Sequence, residues 1–250
     1  MLEIKNITKN FGGVKALNDV AFNCIPGKIN AVIGPNGAGK TTLLNIVSGH
    51  YQTDSGGIFF KGNNITNKKP FIISRFGIAR TFQNLQIFSH MTVLENILVG
   101  AHIRAKSGIF SSAFHMPYMK KEEDELKEKS RLLLSLFGLL RFQDKIAGSL
   151  PFGCQRQLEI ARALSLEPEL ILLDEPAAGL NNNETMELAK LIISINKEKR
   201  LTVIIVEHDM DLIMDISNIV FVLNFGEKIA QGSPREIQND PNVIKAYLGE

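Results

Sequence analysis

A glycine-rich segment near the N-terminus restricts most strongly what this chain can fold into. Residues 34–41 read GPNGAGKT and match the phosphate-binding pattern G-x-x-x-x-G-K-[ST] at every fixed position. An apolar run over residues 29–33 precedes the segment, and Leu43, Leu44 and Val47 follow it at helical spacing. Glycines let consecutive backbone N–H groups turn toward a phosphate chain, and the following helix adds its positive end. The segment therefore predicts a strand, a phosphate-binding loop and a helix in succession.

The loop also contains the side chains that handle a nucleoside triphosphate. Lys40 places a cation against the β- and γ-phosphates, and Thr41 offers a hydroxyl to Mg²⁺. We therefore expect a nucleoside triphosphate with Mg²⁺ as the ligand, although the loop by itself does not specify the reaction. The predicted nucleotide-binding residues of this segment are Gly34, Pro35, Asn36, Gly37, Ala38, Gly39, Lys40, Thr41 and Thr42.

Two acids follow a second apolar run later in the chain. Residues 170–173 are continuously apolar, as is typical of a strand buried on both faces, and Asp174 and Glu175 come directly after them. Ligands of doubly wound sheets lie at the carboxyl ends of the strands. Asp174 is therefore predicted to reach the Mg²⁺ beside Thr41, and Glu175 to orient or deprotonate an attacking water.

A histidine ends a third apolar run. Residues 203–206 precede Glu207, His208 and Asp209. If this strand neighbours the strand that ends at Asp174, His208 lies at the same edge of the sheet, where an imidazole could hydrogen-bond the γ-phosphate. The remaining histidines have no comparable setting and are assigned structural roles: His50, His90, His102 and His115.

The order of elements predicts an α/β fold. Strand-like and helical segments alternate after residue 166, which favours a parallel sheet with crossover helices. The N-terminal residues instead read as strands separated by glycine turns, which indicates an antiparallel β subdomain. We predict one domain over residues 1–250, with a nucleotide-binding P-loop core of residues 1–82 and 167–250. Residues 83–166 form the predicted helical subdomain insert.

Composition excludes several classes of function. The 28 Lys+Arg and 26 Asp+Glu give a formal charge of +2, so bulk charge does not favour nucleic acid as a partner. Cys24 and Cys154 are far apart and make neither a disulfide framework nor a four-ligand zinc site, which fits a reducing cytoplasm. The first ten residues lack the apolar core of a signal peptide, and no apolar run reaches the ~18 residues of a membrane span.

The order of these motifs resembles the ABC-type ATPases. Phe82-Gln83 in ARTFQN looks like that family's Q-loop, and residues 150–156, LPFGCQR, stand where its signature reads LSGGQ. Residues 178–181 resemble the D-loop, and Phe11 stands near the aromatic that stacks on adenine. The resemblance implies that Gln83 contacts the metal and the attacking water, and that Phe11 binds the base. It also adds the signature residues Gly153, Cys154 and Gln155 to the nucleotide site.

Longer segments resemble one branch of this family, the LivG-type ATPases of branched-chain amino-acid importers. They are TFQNLQIFSHMTVLENILVG, LEIARAL, DEPAAGLN, VEHDM and DPNVIKAYLGE. The resemblance implies a second ABC ATPase chain, identical or different, that packs head to tail with ATP between the two. It also implies two membrane permease subunits and an extracytoplasmic solute-binding protein. The chain would then be peripheral, on the cytoplasmic face of the plasma (inner) membrane.

The signature segment departs from the family pattern. Pro151 replaces the serine and has neither a hydroxyl nor an N–H group, Phe152 replaces the first glycine, and Cys154 replaces the glutamine. We expect Pro151 in the first turn of a helix, with the N–H groups of Gly153, Cys154 and Gln155 still presented to a nucleotide.

Other functions stay open at this point. One is the ATPase of a lipopolysaccharide exporter, and another is a soluble ABC-type NTPase that acts on ribosomes or DNA. A phosphate-loop kinase would need an acceptor-substrate lid, for which the sequence gives no sign. Within the importers, leucine, isoleucine and valine are the default solutes, but urea and short amides use similar subunits.

Overall fold

The computed structural model describes residues 1–102 and 117–248, without the side chains of His102 and residues 117–122. Its strands, in chain order, are β1 (Leu2–Phe11), β2 (Val14–Asn23), β3 (Ile29–Ile33), β4 (Ser55–Phe60), β5 (Asn63–Asn64), β6 (Ile78–Arg80), β7 (Leu170–Asp174), β8 (Thr202–Val206), β9 (Ile219–Asn224) and β10 (Glu227–Gly232). Its helices are α1 (Lys40–Val47), α2 (Pro70–Arg75), α3 (Val93–His102), α4 (Pro117–Leu136), α5 (Phe152–Leu164), α6 (Asn182–Lys199), α7 (Met210–Ile216), α8 (Pro234–Gln238) and α9 (Pro241–Leu248).

The chain divides into two compact units. The first unit comprises Met1–Gln83 and Glu169–Glu250, and the second comprises Asn84–Pro168. Across the described residues, none of the helices combines the length and the apolar character that crossing a bilayer requires.

The described residues of the first unit contain a six-stranded sheet in the order β10-β9-β3-β8-β7-β6. Strands β9, β3, β8, β7 and β6 are parallel, and β10 pairs antiparallel with β9. Every residue of β3, β7 and β8 is buried, as the continuous apolar runs predict for central strands covered on both faces. Asp174 pairs in register with Val206 across β7 and β8, which confirms that these two strands are neighbours.

A second sheet of the same unit is antiparallel, with the order β2-β1-β4-β5. Its inner face packs with helix α1 and the parallel sheet in one apolar core, where the rings of Phe22 and Phe221 stack with centroids 4.3 Å apart. The predicted α/β fold, with a parallel sheet and an N-terminal antiparallel part, is therefore confirmed.

The described part of the second unit is mainly helical. It contains α3, α4 and α5, two short 3-10 segments at Leu140–Phe142 and Ala147–Ser149, and an isolated antiparallel bridge between Thr92 and Ile146. Helix α5 buries Leu158, Ala161 and Leu164 at the spacing that predicted a helix there.

Candidate active site

The phosphate loop joins the end of β3 to the start of α1. Gly39 has φ 103°, and a Cβ added there would lie 2.6 Å from the carbonyl oxygen of Ala16 and 2.8 Å from Leu17 Cδ2. Gly37 also has a positive φ, 81°, but a Cβ there would meet no atom within 4 Å. Both positions favour glycine because their backbone is left-handed, and Gly39 also needs it because β2 approaches so closely.

Lys40 is the first residue of α1, and its side chain turns back into this loop. Its Nζ donates hydrogen bonds to the carbonyl oxygens of Gly34 and Pro35, at 2.7 Å and 2.9 Å. Burial lowers the pKa of the Lys40 ammonium, while the charges of Glu175 and Asp174 act in the opposite direction. The structure therefore brings the predicted cation and the two predicted acids into one electrostatic environment.

Glu175 is held at the end of β7 by its backbone and its side chain. Its N–H donates to the carbonyl oxygen of Val206 at 2.9 Å, and its Oε2 accepts a hydrogen bond from Gln83 Nε2 at 2.8 Å. Its φ of 48° is in the left-handed region, which is uncommon for residues other than glycine and occurs often at functional sites. Gln83 and Glu175, 92 positions apart in sequence, are thus direct neighbours.

Asp174 is buried and paired with an arginine that the sequence reasoning did not identify. Arg80 Nη2 donates to Asp174 Oδ2 at 2.9 Å, and both side chains are at most 5% exposed. Burial raises the pKa of Asp174, and the hydrogen bond and charge of Arg80 oppose that increase. Asp174 Oδ1 is also buried, and no hydrogen bond to it is formed by the part of the chain that the structure describes. An oxygen of this kind fits a hard cation such as Mg²⁺ or one of its waters.

Glu207 is a second site residue that was not predicted. It is buried, and its carboxylate accepts hydrogen bonds from the N–H groups of Ala177 at 2.7 Å and His208 at 3.2 Å. Burial raises the pKa of Glu207, and these two hydrogen bonds oppose the increase. The Glu207 carboxylate therefore links two backbone segments, at Ala177, which follows Glu175, and at His208. An acid directly after a buried strand is the sequence signal that could have identified it.

His208 lies at the edge of the sheet where it was predicted. Its side chain is 64% exposed, and its Nδ1 is 3.8 Å from Glu207 Oε2. Of the histidines assigned structural roles, His50 packs its ring edge-on against Phe82, with the centroids 5.3 Å apart. His115 lies outside the described residues, and the side chain of His102 is not described either.

Phe11 ends strand β1 and is 43% exposed, so its ring is not part of the apolar core. Its ring makes an edge-on contact with Tyr51, with centroids 5.3 Å apart, and Lys9 Nζ lies 5.3 Å from its centroid. An exposed aromatic ring can stack on a nucleotide base.

The signature segment opens helix α5 in the second unit, and two expectations about it need correction. Pro151 is not in the first turn: it is the N-cap residue, with ψ 149°, and the helix begins at Phe152. The N–H of Gln155 donates to the carbonyl oxygen of Pro151 at 3.0 Å and closes the first turn, so it is not presented to a ligand. The Gln155 side chain likewise turns back, and its Nε2 donates to the carbonyl oxygen of Leu150 at 2.7 Å.

Comparison with known proteins decides the family. A sequence model of the ABC transporter family matches residues 17–178, which is more than half of the chain. This chain belongs to the ABC transporter family. A second sequence model, that of the branched-chain amino acid ATP-binding cassette transporter, matches residues 227–250 of this ABC protein. The ATP-binding proteins of this family are ATPases, and this chain has their fold.

Similar proteins match over the full length of this ABC ATPase. The high-affinity branched-chain amino acid transport ATP-binding protein LivG of Escherichia coli K12 is 41% identical, over 100% of this chain and 98% of its own length. The corresponding BraF protein of Pseudomonas aeruginosa is 42% identical with the same coverage. The probable LivG protein of Methanocaldococcus jannaschii is 37% identical, again over 100% and 98%.

Solved structures agree with the sequence comparison. The ADP conformation of an ATP-binding cassette of an ABC transporter superimposes with a TM-score of 0.86 at 35% identity, covering 100% of this chain and 99% of that one. A dimeric ATP-binding cassette in a post-hydrolysis state, bound to ADP and phosphate, superimposes with a TM-score of 0.78 at 25% identity, covering 94% and 99%.

Proposed function

We propose that this ABC ATPase is the ATP-hydrolysing subunit of an importer for branched-chain amino acids. The observations that carry the proposal are the hydrogen bonds of Lys40 to the carbonyls of the phosphate loop and the position of Asp174 and Glu175 at the end of β7, where their charges act on Lys40. A cation inside such a loop, facing two acids at a strand end, suits a nucleoside triphosphate and its hydrolysis. The solute class is inferred from the names of the full-length relatives, which support amino-acid import over lipopolysaccharide export.

We assign Mg²⁺ to Thr41, Asp174 and Gln83. Thr41 is exposed in the first turn of α1, and Gln83 is exposed beside Glu175. Asp174 contributes the buried Oδ1 that has no hydrogen-bond partner among the described residues. When bound, Mg²⁺ supplies positive charge that offsets the charge of the phosphates.

Glu175 is the proposed general base for the attacking water. The hydrogen bond from Gln83 Nε2 to its Oε2 holds the carboxylate in one orientation, which favours proton abstraction from one direction. His208, exposed at the neighbouring strand end, is the proposed hydrogen-bond donor to the γ-phosphate. Phe11 is the proposed stacking surface for adenine.

The signature segment is proposed to bind the nucleotide held by a second ABC ATPase chain. In that role Pro151 makes a weak clamp, because a serine would contribute a hydroxyl hydrogen bond to a charged phosphate, worth about 1.5–3 kcal/mol. We therefore propose that the chain works best with a different ATPase chain whose signature is intact. The test is ATP-driven dimerisation of the Glu175→Gln protein with and without Pro151→Ser, measured by sedimentation.

That experiment needs one control, since Pro151 occupies the N-cap of α5. A serine N-cap stabilises a helix by about 1 kcal/mol even without a nucleotide. Thermal unfolding of both monomers without ATP measures that contribution separately. Equal dimerisation constants for the proline and serine proteins would contradict the proposal that Pro151 weakens the contact with the nucleotide.

The segment of residues 82–91 is proposed to contact the membrane permease. Phe88 and Met91 are 43% and 39% exposed, which supports a contact surface, whereas Leu85 and Ile87 are half-buried. The backbone of Gln86 is held at both of its polar groups by helix α5. Its N–H donates to Glu159 Oε1 at 3.1 Å, and its carbonyl oxygen accepts from Arg162 Nη2.

Cysteine crosslinking tests this contact. Single cysteines at the exposed positions Gln86 and Ser89, in a Cys154→Ser background, are expected to crosslink to the permease. A cysteine at Lys190, exposed on α6, is the matched control and is expected not to crosslink. An intact complex without a crosslink at either test position would exclude this contact.

Transport by the reconstituted complex tests the function as a whole. We propose that the chain is peripheral on the cytoplasmic face of the membrane, with two permease subunits, and acts with an extracytoplasmic solute-binding protein. Leucine, isoleucine and valine uptake should require ATP and should stop when Glu175→Gln replaces the wild-type chain. Binding of urea or a short amide, but not leucine, to the solute-binding protein would overturn the solute class and leave the ATPase assignment intact.

A further inference from the structure

Arg80 connects the phosphate-loop helix to the strand that ends in Asp174. It is the last residue of β6, and its side chain is only 5% exposed. One guanidinium nitrogen, Nη2, donates to Asp174 Oδ2 at 2.9 Å. The other, Nη1, donates to Asn45 Oδ1 at 2.8 Å and to Ser48 Oγ at 2.6 Å. Asn45 lies on α1 and Ser48 is its C-cap residue.

The guanidinium also contacts the residue that precedes Gln83. The Cζ of Arg80 lies 4.8 Å from the centroid of the Phe82 ring, a cation–π arrangement. Arg80 is therefore in contact with three segments that carry proposed ligands of the nucleotide and its metal. These segments are the helix that starts at Lys40, the strand that ends at Asp174, and the segment that joins β6 to Gln83.

The two oxygens of Asp174 differ in their surroundings. Oδ2 is occupied by Arg80, while Oδ1 is buried and has no hydrogen-bond partner among the described residues. A planar guanidinium fixes a carboxylate more strictly than an ammonium does, since it donates in several set directions at once. Holding Oδ2 thus fixes the direction in which Oδ1 points.

We propose that Arg80 is a positioning residue that sets the affinity of the nucleotide site for its divalent cation by anchoring Asp174 to helix α1. The proposal rests on the proposed function, because it takes the ligand to be ATP with Mg²⁺. It assigns no contact between Arg80 and the nucleotide. Arg80 acts through Asp174, so its effect should appear in the contribution of the metal and not in the binding of the nucleotide without metal.

The test compares binding of AMP-PNP, a non-hydrolysable ATP analogue, in EDTA and at saturating Mg²⁺. For Arg80→Gln we expect an affinity for AMP-PNP close to wild type in EDTA. The Mg²⁺ gain, which is the factor by which Mg²⁺ raises the affinity for AMP-PNP, should fall about tenfold or more, as for other residues that orient metal ligands. Arg80→Lys keeps the charge but has a single nitrogen in place of the two that reach Asp174 and helix α1, so it should recover only part of the gain. When Mn²⁺ replaces Mg²⁺, electron paramagnetic resonance measures directly how tightly the metal ion binds to the complex of the protein with AMP-PNP.

Arg75→Gln is the matched control. Arg75 lies on α2, is exposed, and stacks on Phe71 with its Cζ 5.9 Å from the ring centroid. Arg75, like Arg80, has a cation–π contact of its own, but it does not lie beside Asp174. Its substitution should therefore leave the Mg²⁺ gain unchanged. If Arg80→Gln does not fold, the double variant Asn45→Ala/Ser48→Ala removes the helix side of the anchor, and it should lose part of the Mg²⁺ gain.

A double-mutant cycle separates positioning from a general structural effect. Asp174→Asn alone should remove most of the Mg²⁺ gain, and adding Arg80→Gln to it should cost little more, because Arg80 then has no carboxylate to position. Additive losses, or a full Mg²⁺ gain in folded Arg80→Gln, would overturn the proposal. Wild-type protein that binds AMP-PNP without any Mg²⁺ gain would instead overturn the proposed metal site, and this role with it.

Discussion

Replacing Gly39 by alanine should destabilise the chain much more than the same change at Gly37. Both residues have a left-handed φ, 103° and 81°, so alanine at either position carries a similar backbone cost of about 1–2 kcal/mol. Only at Gly39 does the new methyl group meet other atoms, at 2.6 Å from the carbonyl oxygen of Ala16 and 2.8 Å from Leu17 Cδ2. The side chain of Leu17 can rotate away, but the carbonyl belongs to strand β2 and cannot move alone.

The difference between the two variants can be estimated from this clash. Forcing an extra methyl group into a packed site costs about 1–3 kcal/mol, and the effect of alanine on the unfolded chain cancels between the variants. We therefore expect Gly39→Ala to be less stable than Gly37→Ala by about 1–3 kcal/mol, with a transition temperature lower by several degrees.

The assay is thermal and urea unfolding of the purified chain without nucleotide, since a bound phosphate would occupy the space beside Gly37. Circular dichroism at the start of each transition checks that both variants are folded. A Gly37→Ala protein as unstable as Gly39→Ala would refute the reasoning. It would mean that backbone conformation, and not the approach of β2, determines the need for glycine in this loop.

Three further predictions concern single side chains. Lys40→Ala should weaken MgATP binding by about 10- to 100-fold, since a charge-assisted hydrogen bond to phosphate is worth about 1.5–3 kcal/mol; calorimetric titration with an unchanged affinity would contradict the assignment. Glu175→Gln should keep ATP affinity and reduce phosphate release by about 10²- to 10⁴-fold, and near-wild-type release would direct attention to His208 as the base. Burial raises the pKa of Cys24 to about 12, so iodoacetamide at pH 8 should modify this thiol only after unfolding; rapid modification in the native protein, detected by peptide mass spectrometry, would show that the site opens.

The parts of the site that the sequence predicted are those encoded by short, contiguous patterns. The phosphate loop needs glycines at fixed spacing, and the acids at 174 and 175 follow an apolar run that is typical of a buried strand. Both kinds of pattern are local, so residue order alone places Lys40 after one buried strand and Asp174 at the end of another. It does not specify that β8 lies between these two strands, β3 and β7. Gln83 needed the family resemblance, because a lone glutamine has no distinctive spacing, whereas His208 was predicted from the apolar run that precedes it.

The contacts of Arg80, by contrast, could not be predicted from the sequence. Its partners come from α1 and β7, and which side chains meet there depends on the pairing register of β6 with β7, which no local pattern specifies. The position of Pro151 was wrong by one residue for a related reason. Helix boundaries depend on whether one carbonyl accepts the first intrahelical hydrogen bond, and proline is compatible with both positions.

The ammonium of Lys40 has a consequence for how the loop recognises its ligand. Because the carbonyls of Gly34 and Pro35 engage two of the three N–H donors of Nζ, a phosphate that accepts more than one hydrogen bond from Lys40 must displace a carbonyl. The internal carbonyls therefore act as stand-in ligands that keep the loop in a receptive shape between turnovers. A compound that competes with them must carry more negative charge than a neutral carbonyl, so the resting loop discriminates by charge before it discriminates by shape.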